Sequence, residues 1–292
     1  MLKGNLVALI TPMRADGSVD EKKLAEFIDW QIKEGTAGLV PTGTTGESPT
    51  LTHEEHKRVV EITVQVAAGR VPVIAGTGSN STAEALDFTQ HAKKAGADMA
   101  MLVTPYYNKP TQEGMYLHFS SIANAVDIPI IIYNIPPRSI VDMSPETMGR
   151  LAKIKNIVGV KDATANLARP YHTRRECGVD FMQFSGEDHT ALAFLAVGGH
   201  GCISVTGNIA PRLCADMHRL WNEGRHDEAM AIQERLVPLH DALFSETSPG
   251  PVKYAASLLG LTDEHVRLPL APPAEATRAR VRAAMAHAGI LN

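Results

Sequence analysis

The sequence predicts an α/β fold, a (β/α)8 TIM barrel followed by a C-terminal helical appendage. Three observations predict it. Eight short apolar runs recur up to residue 208, amphipathic segments separate them, and no further strand-like run follows about residue 222. The runs are continuous rather than alternating, as in strands buried on both faces. Eight β-α units in about 220 residues suit a closed barrel better than an open sheet.

The runs are NLVALIT (5–11), AGLVP (37–41), VPVIAG (71–76), DMAMLVTP (98–105), IPIIIYN (128–134), NIVGVKD (156–162), FMQFSGE (181–187) and GCISVTGN (201–208). Between the first two, Leu24, Phe27, Ile28 and Ile32 recur at helical spacing over 20–35, and Gly35 closes the helix. Over 53–68, Val59, Ile62, Val66 and Ala67 share one face. Asp20, Thr52, Ser81, Thr111 and Ser144 stand where helices should start, and Pro145 follows Ser144 at the first helical position. GTGSNS (76–81) lacks the third glycine of a dinucleotide fingerprint, which weighs against a nucleotide-binding sheet. Helices are expected over 225–244, 249–260 and 274–289, with a proline-rich connector at 269–277. The expected division is a catalytic barrel at 1–224 and a helical region at 225–292 packed on it.

Composition excludes several classes. With 28 basic and 32 acidic residues in 292, the net charge is −4, which argues against nucleic acid or an anionic membrane as partner. Cys177, Cys202 and Cys214 are scattered and odd in number, so no disulfide framework is expected. No membrane span or signal segment is legible, and a cytoplasmic protein is expected.

In a barrel, chemistry collects where strands end. Lys161 is the only lysine directly at a strand end. An ordinary lysine, with a pKa near 10.4, is only about 0.04% neutral at pH 7, and desolvation raises that fraction. A lysine held at a barrel mouth can therefore attack a ketone or aldehyde and form a Schiff base. The alternative is a snorkelling lysine or one paired with Asp162. Tyr133 ends an apolar strand, either as a core tyrosine or as a phenol that moves protons for imine formation. TGTTGES (42–48) is either a capped turn or an anion cradle in which Thr44 and Thr45 hold a carboxylate and join a proton relay. Arg138, behind two prolines, suits a carboxylate or stands on the surface. HEEH (53–56) has its histidines three apart, unlike a zincin, and no third ligand is evident. No metal and no organic cofactor is expected.

GLVPTGTTGES (38–48), YNIPPRS (133–139) and GVKD (159–162) together resemble the dihydrodipicolinate synthase / N-acetylneuraminate lyase family of class I aldolases. Arg138 and the Tyr106–Tyr107 pair resemble its synthase branch. The resemblance implies that Lys161 forms an imine with pyruvate, with Thr45 on the keto-acid carboxylate. It implies a proton relay of Tyr133, Thr44 and Tyr107, the last supplied by a neighbouring subunit. Gly186 and Ile203 would line the pyruvate pocket, and Arg138 would place L-aspartate 4-semialdehyde. The reaction implied opens diaminopimelate and lysine biosynthesis. A second site for L-lysine as feedback effector is implied at Ser48, His53, His56, Asn80, Glu84 and Tyr106, whose other reading is a solvated helix start. Pro49 departs from the alanine found in some inhibited relatives. A homotetramer, a dimer of dimers, is implied. The alternative activity is another pyruvate-dependent Schiff-base aldolase, such as a sugar-acid or N-acetylneuraminate lyase.

Overall fold

The computed structural model describes residues 1–291, and in it each apolar run contains a parallel strand. In chain order the barrel runs β1 (Gly4–Ala8), α1 (Glu21–Lys33), β2 (Gly38–Val40), α2 (His53–Ala67), β3 (Ile74–Gly76), α3 (Thr82–Ala95), β4 (Met99–Val103) and α4 (Gln112–Ala125). It continues with β5 (Ile130–Asn134), α5 (Pro136–Ser139), α6 (Pro145–Leu151), β6 (Ile157–Asp162), α7 (Arg169–Cys177), β7 (Met182–Ser185), α8 (Ala191–Ala196), β8 (Gly201–Ser204) and α9 (Pro211–Asn222). Three helices follow: α10 (His226–Leu243), α11 (Gly250–Leu258) and α12 (Glu275–His287).

The sheet order is β2-β1-β8-β7-β6-β5-β4-β3. A parallel bridge between Leu39 and Val73 joins its two ends, with the Leu39 N–H donating to Pro72 O at 3.0 Å. The ring is therefore closed. The five expected helix-start residues all cap: Asp20, Thr52, Ser81, Thr111 and Ser144 each accept a backbone N–H from the first turn. Thr52 and Glu55 cap each other reciprocally.

β1 and β8 each stop several residues before their apolar runs end. Ile10 N–H leaves the ladder for the Asn208 side chain at 3.0 Å, and the Asp188 carboxylate takes the Val205 N–H at 2.9 Å. Side-chain oxygens thus replace the ladder where both strands turn out of the barrel.

Leu6, Val40, Ile74, Met101, Ile131 and Phe184 fill the barrel interior. A second apolar layer lies between strands and helices. On one side it is continuous with the appendage: Leu236, Leu243, Val252, Val281 and Met285 belong to the same buried cluster as Leu24, Phe27 and Ile28. Among the described residues no helix is long and apolar enough to cross a membrane.

Candidate active site

The register of β5 against β6 sets the centre of the site. Ile130 pairs with Ile157, but Ile131 pairs with Gly159, so Val158 is one residue too many. This bulge carries Gly159 and Lys161 to the barrel interior, opposite Ile131 and Tyr133. Gly159 is required there, because a Cβ would lie 2.6 Å from Met182 O. Lys161 is 5% exposed, and its Nζ stands 4.3 Å from the centroid of the Tyr133 ring. Among the described residues its amine makes no ion pair or hydrogen bond. It is held by packing and the aromatic face rather than by a carboxylate.

Asp162 points the other way. It accepts from Thr164 N and Oγ1 at 2.9 and 2.6 Å and faces Arg169 Nε at 4.0 Å. Burial pushes its carboxyl up. A Lys161–Asp162 pair does not form. Glu187 is a carboxylic acid whose titration feels Lys161: burial raises its pKa and the lysine opposes that shift.

The TGTTGES loop joins β2 to α2 in tight turns. Gly46 N–H donates to Gly43 O at 3.1 Å, Glu47 N–H to Thr44 O at 3.1 Å, and Ser48 N–H to Gly43 O at 3.3 Å. Thr11 Oγ1 donates to Gly46 O at 2.7 Å and Thr42 Oγ1 to Gly76 O at 2.9 Å. Thr44, Tyr133, Arg138, Met101, Ser48 and Tyr106 are among the residues around one cavity of about 210 Å³. Thr45 is buried behind this lining. Arg138 stands exposed on the one-turn α5.

Gly186 follows β7 and stays against β6: its N–H donates to Asp162 O at 2.6 Å, and a Cβ would meet that of Ala163 at 2.7 Å. Ile203 is fully buried in the interior cluster that holds Tyr133. Tyr107 behaves oppositely, at 92% exposure and φ +70°.

The second set of residues forms two groups. His53 Nε2 meets Glu84 Oε1 at 2.8 Å, and Ser79 Oγ donates to the other carboxylate oxygen. Asn80 O accepts from Asn108 Nδ2 at 2.8 Å. Ser48 and Tyr106 instead share the cavity of Thr44 and Tyr133, and burial pushes the Tyr106 phenol up. His56 is only 2% exposed, stacked 3.9 Å from Phe88 with Nε2 donating to Gly76 O at 2.9 Å. Burial lowers its pKa to about 4. Its neutral ring is part of the wall that holds Gly76.

Sequence reasoning missed the residues behind the loop. Glu47 lies inside the TGTTGES motif without an assigned task there, and Lys253 is an unremarked position of a C-terminal helix. The structure joins them at 2.6 Å with both side chains fully buried. Burial lowers the Lys253 pKa and Glu47 opposes that. Arg267 N–H donates to the other Glu47 oxygen at 3.0 Å. No local pattern signals a contact 206 residues apart.

Among the described residues no cluster of three His, Cys, Asp or Glu could hold a metal ion. The site instead offers a phenol, hydroxyls and a guanidinium around a small cavity, with the unpaired Lys161 amine not in the lining but against the Tyr133 ring. That set suits carbonyl chemistry through an imine on a carboxylate-bearing substrate.

The model of the dihydrodipicolinate synthetase family matches residues 1–288. A 4-hydroxy-tetrahydrodipicolinate synthase of Acidiphilium cryptum is 66% identical over 291 residues, covering 100% of both chains. A dihydrodipicolinate synthase of Acinetobacter baumannii, solved in complex with pyruvate, is 46% identical over 100% of both chains, with a TM-score of 0.97. The corresponding protein of Cyanidioschyzon merolae, solved with lysine bound, is 37% identical over 99% of both chains, with a TM-score of 0.96.

Proposed function

The chain belongs to the dihydrodipicolinate synthetase family, and we propose that it condenses pyruvate with L-aspartate 4-semialdehyde through a Schiff base on Lys161. The product is 4-hydroxy-tetrahydrodipicolinate, on the route to diaminopimelate and lysine. The observation that carries the reading is a buried lysine free of any carboxylate, set 4.3 Å from the Tyr133 ring beside the Thr44 cavity.

The neutral Lys161 amine attacks the keto carbon of pyruvate, and the former carbonyl oxygen leaves as water. Tyr133, Thr44 and the Tyr107 of a neighbouring subunit relay the protons this requires. Thr45 and nearby backbone amides hold the carboxylate, with Gly186 and Ile203 shaping the pocket. A methyl proton is lost and the imine becomes an enamine. Its carbon adds to the aldehyde, whose oxygen gains a proton, while Arg138 holds that substrate's carboxylate. The bound intermediate is again an imine. The substrate's own amine attacks the imine carbon, closes the ring and displaces Lys161.

The exposure of Tyr107 on left-handed backbone supports its delivery across an interface, in a homotetramer built as paired dimers. Ser48, His53, His56, Asn80, Glu84 and Tyr106 are proposed as the L-lysine effector site, with Glu84 facing the ammonium group. Ser48 and Tyr106 on the wall of the Thr44 cavity, and the His53–Glu84 contact, support that reading.

Borohydride reduction with pyruvate, read by mass spectrometry alongside turnover of aspartate semialdehyde, tests the activity. The expected result is a pyruvate adduct on the peptide holding Lys161, with turnover. An adduct without turnover would favour another acceptor aldehyde, and no adduct would overturn the imine mechanism. Replacing Arg138 with alanine should lower condensation by on the order of 100-fold and leave adduct formation intact. Sedimentation of the wild-type protein checks the tetramer.

A further inference from the structure

The loop that carries Thr44 and Thr45 is held in shape from the far end of the chain. Its backbone is left-handed at both ends, with φ +53° at Thr42 and +57° at Glu47. A non-glycine residue keeps that conformation only where its surroundings enforce it. At Thr42 the enforcement comes from within the barrel, through its bond to Gly76 O on β3. At Glu47 it comes from outside the barrel. Lys253 Nζ, on α11, donates to Oε1 at 2.6 Å, and Arg267 N–H, on the segment before α12, donates to Oε2 at 3.0 Å. The Arg267 guanidinium ties the same segment to Thr50 O and to both oxygens of Glu55.

We propose that Lys253 and Glu47 are positioning residues for the keto-acid site. Their ion pair fixes the conformation of the 42–48 loop and, through it, the placement of Thr44 and Thr45 relative to Lys161. The transmission path is short. Glu47 N–H bonds to Thr44 O at 3.1 Å, and the Gly46 carbonyl between them is pinned by Thr11. The pair grips the left-handed residue two places after Thr45. It reaches across 206 residues to do so. The C-terminal helices thereby act on a cavity to whose lining they contribute no residue. The proposal rests on the roles given above to the two threonines.

The test uses the full-length Lys253→Met/Glu47→Gln double variant, which removes both charges with side chains of similar size. It is read by the pyruvate concentration giving half-maximal borohydride-trapped adduct, and by separate KM values for pyruvate and the aldehyde. Below the variant's melting temperature, the half-saturating pyruvate concentration should rise by about tenfold or more. The aldehyde KM should move by less than about twofold, because Arg138 lies on a different loop. A folded double variant with wild-type pyruvate saturation would overturn the proposal. So would an equal loss for both substrates.

If the double variant does not fold, Glu47→Asp alone decides, since it keeps both charges and shortens the tie, with a shift in the same direction expected. If that variant also fails to fold, the pair belongs to the fold and the proposal falls. Wild-type protein is trapped in parallel. No adduct on wild-type Lys161 would sink the activity reading itself, whereas a normal wild-type adduct with unshifted variants sinks only this inference.

Discussion

Among the described residues two lysines are buried, and their surroundings differ in one decisive respect. Lys253 is fully enclosed and meets Glu47 at 2.6 Å, whereas Lys161 is 5% exposed and faces an aromatic ring without a carboxylate. A paired amine in a dry interior is a fixed cation whose removal leaves an uncompensated charge. An amine with no carboxylate bonded to it leaves none stranded when it is removed, and its lone pair is available once the proton leaves. Burial alone therefore does not mark a nucleophile. What distinguishes the two is the absence of a partner at Lys161.

Substitutions at the two sites should fail in opposite ways. Lys161→Met should lower turnover by on the order of a thousandfold or more and abolish the trapped adduct, since no imine can form. Its stability in urea should change by no more than about 1 kcal/mol, because no ion pair is broken. Lys253→Met should cost about 3–5 kcal/mol by the same titration, from the carboxylate stranded at Glu47. The double variant with Glu47→Gln should recover most of that loss. If Lys161→Met proves as destabilising as Lys253→Met, the distinction between the two environments collapses.

A third buried nitrogen, on His56, sharpens the comparison because it is held neutral. Its folded pKa, about 4, lies below the ordinary 6.5. As pH falls from 6.5 towards 4, the unfolded chain takes up a proton that the folded chain refuses. The stability associated with this group is full above 6.5, is lost through that interval, and falls no further below 4. Between pH 7 and pH 5 the loss should be about 2 kcal/mol. His118 and His218, each also lowered to about 4 by burial, add to the same trend. Urea unfolding at the two pH values, for wild type and His56→Gln, should show a shallower fall in the variant.

The smallest effect is expected where an ion pair of similar geometry lies at the surface. Arg58 and Glu21 meet at 2.8 Å, with side chains about half exposed. Arg58→Ala should cost less than about 1 kcal/mol, because solvent already screens the pair. A cost comparable with that of Lys253→Met would mean that burial is not what sets the two pairs apart.

Much of this molecule was legible in the sequence because the signals were local. Eight apolar runs specified eight strands, Asp20, Thr52, Ser81, Thr111 and Ser144 specified helix starts, and both signals are read within a few residues of sequence. Lys161 and Tyr133 drew attention because strand ends point chemistry at the barrel mouth. The tertiary structure alone decided the rest. The bulge at Val158 turns Lys161 inward and Asp162 outward, and no alternation of residue types announces it. Buried His56 is bonded to Gly76, where its sequence position also suited a solvated helix start. The tie from Lys253 to Glu47 has no sequence signature either, since charges brought together over 206 residues exist as a pair only after the chain has folded.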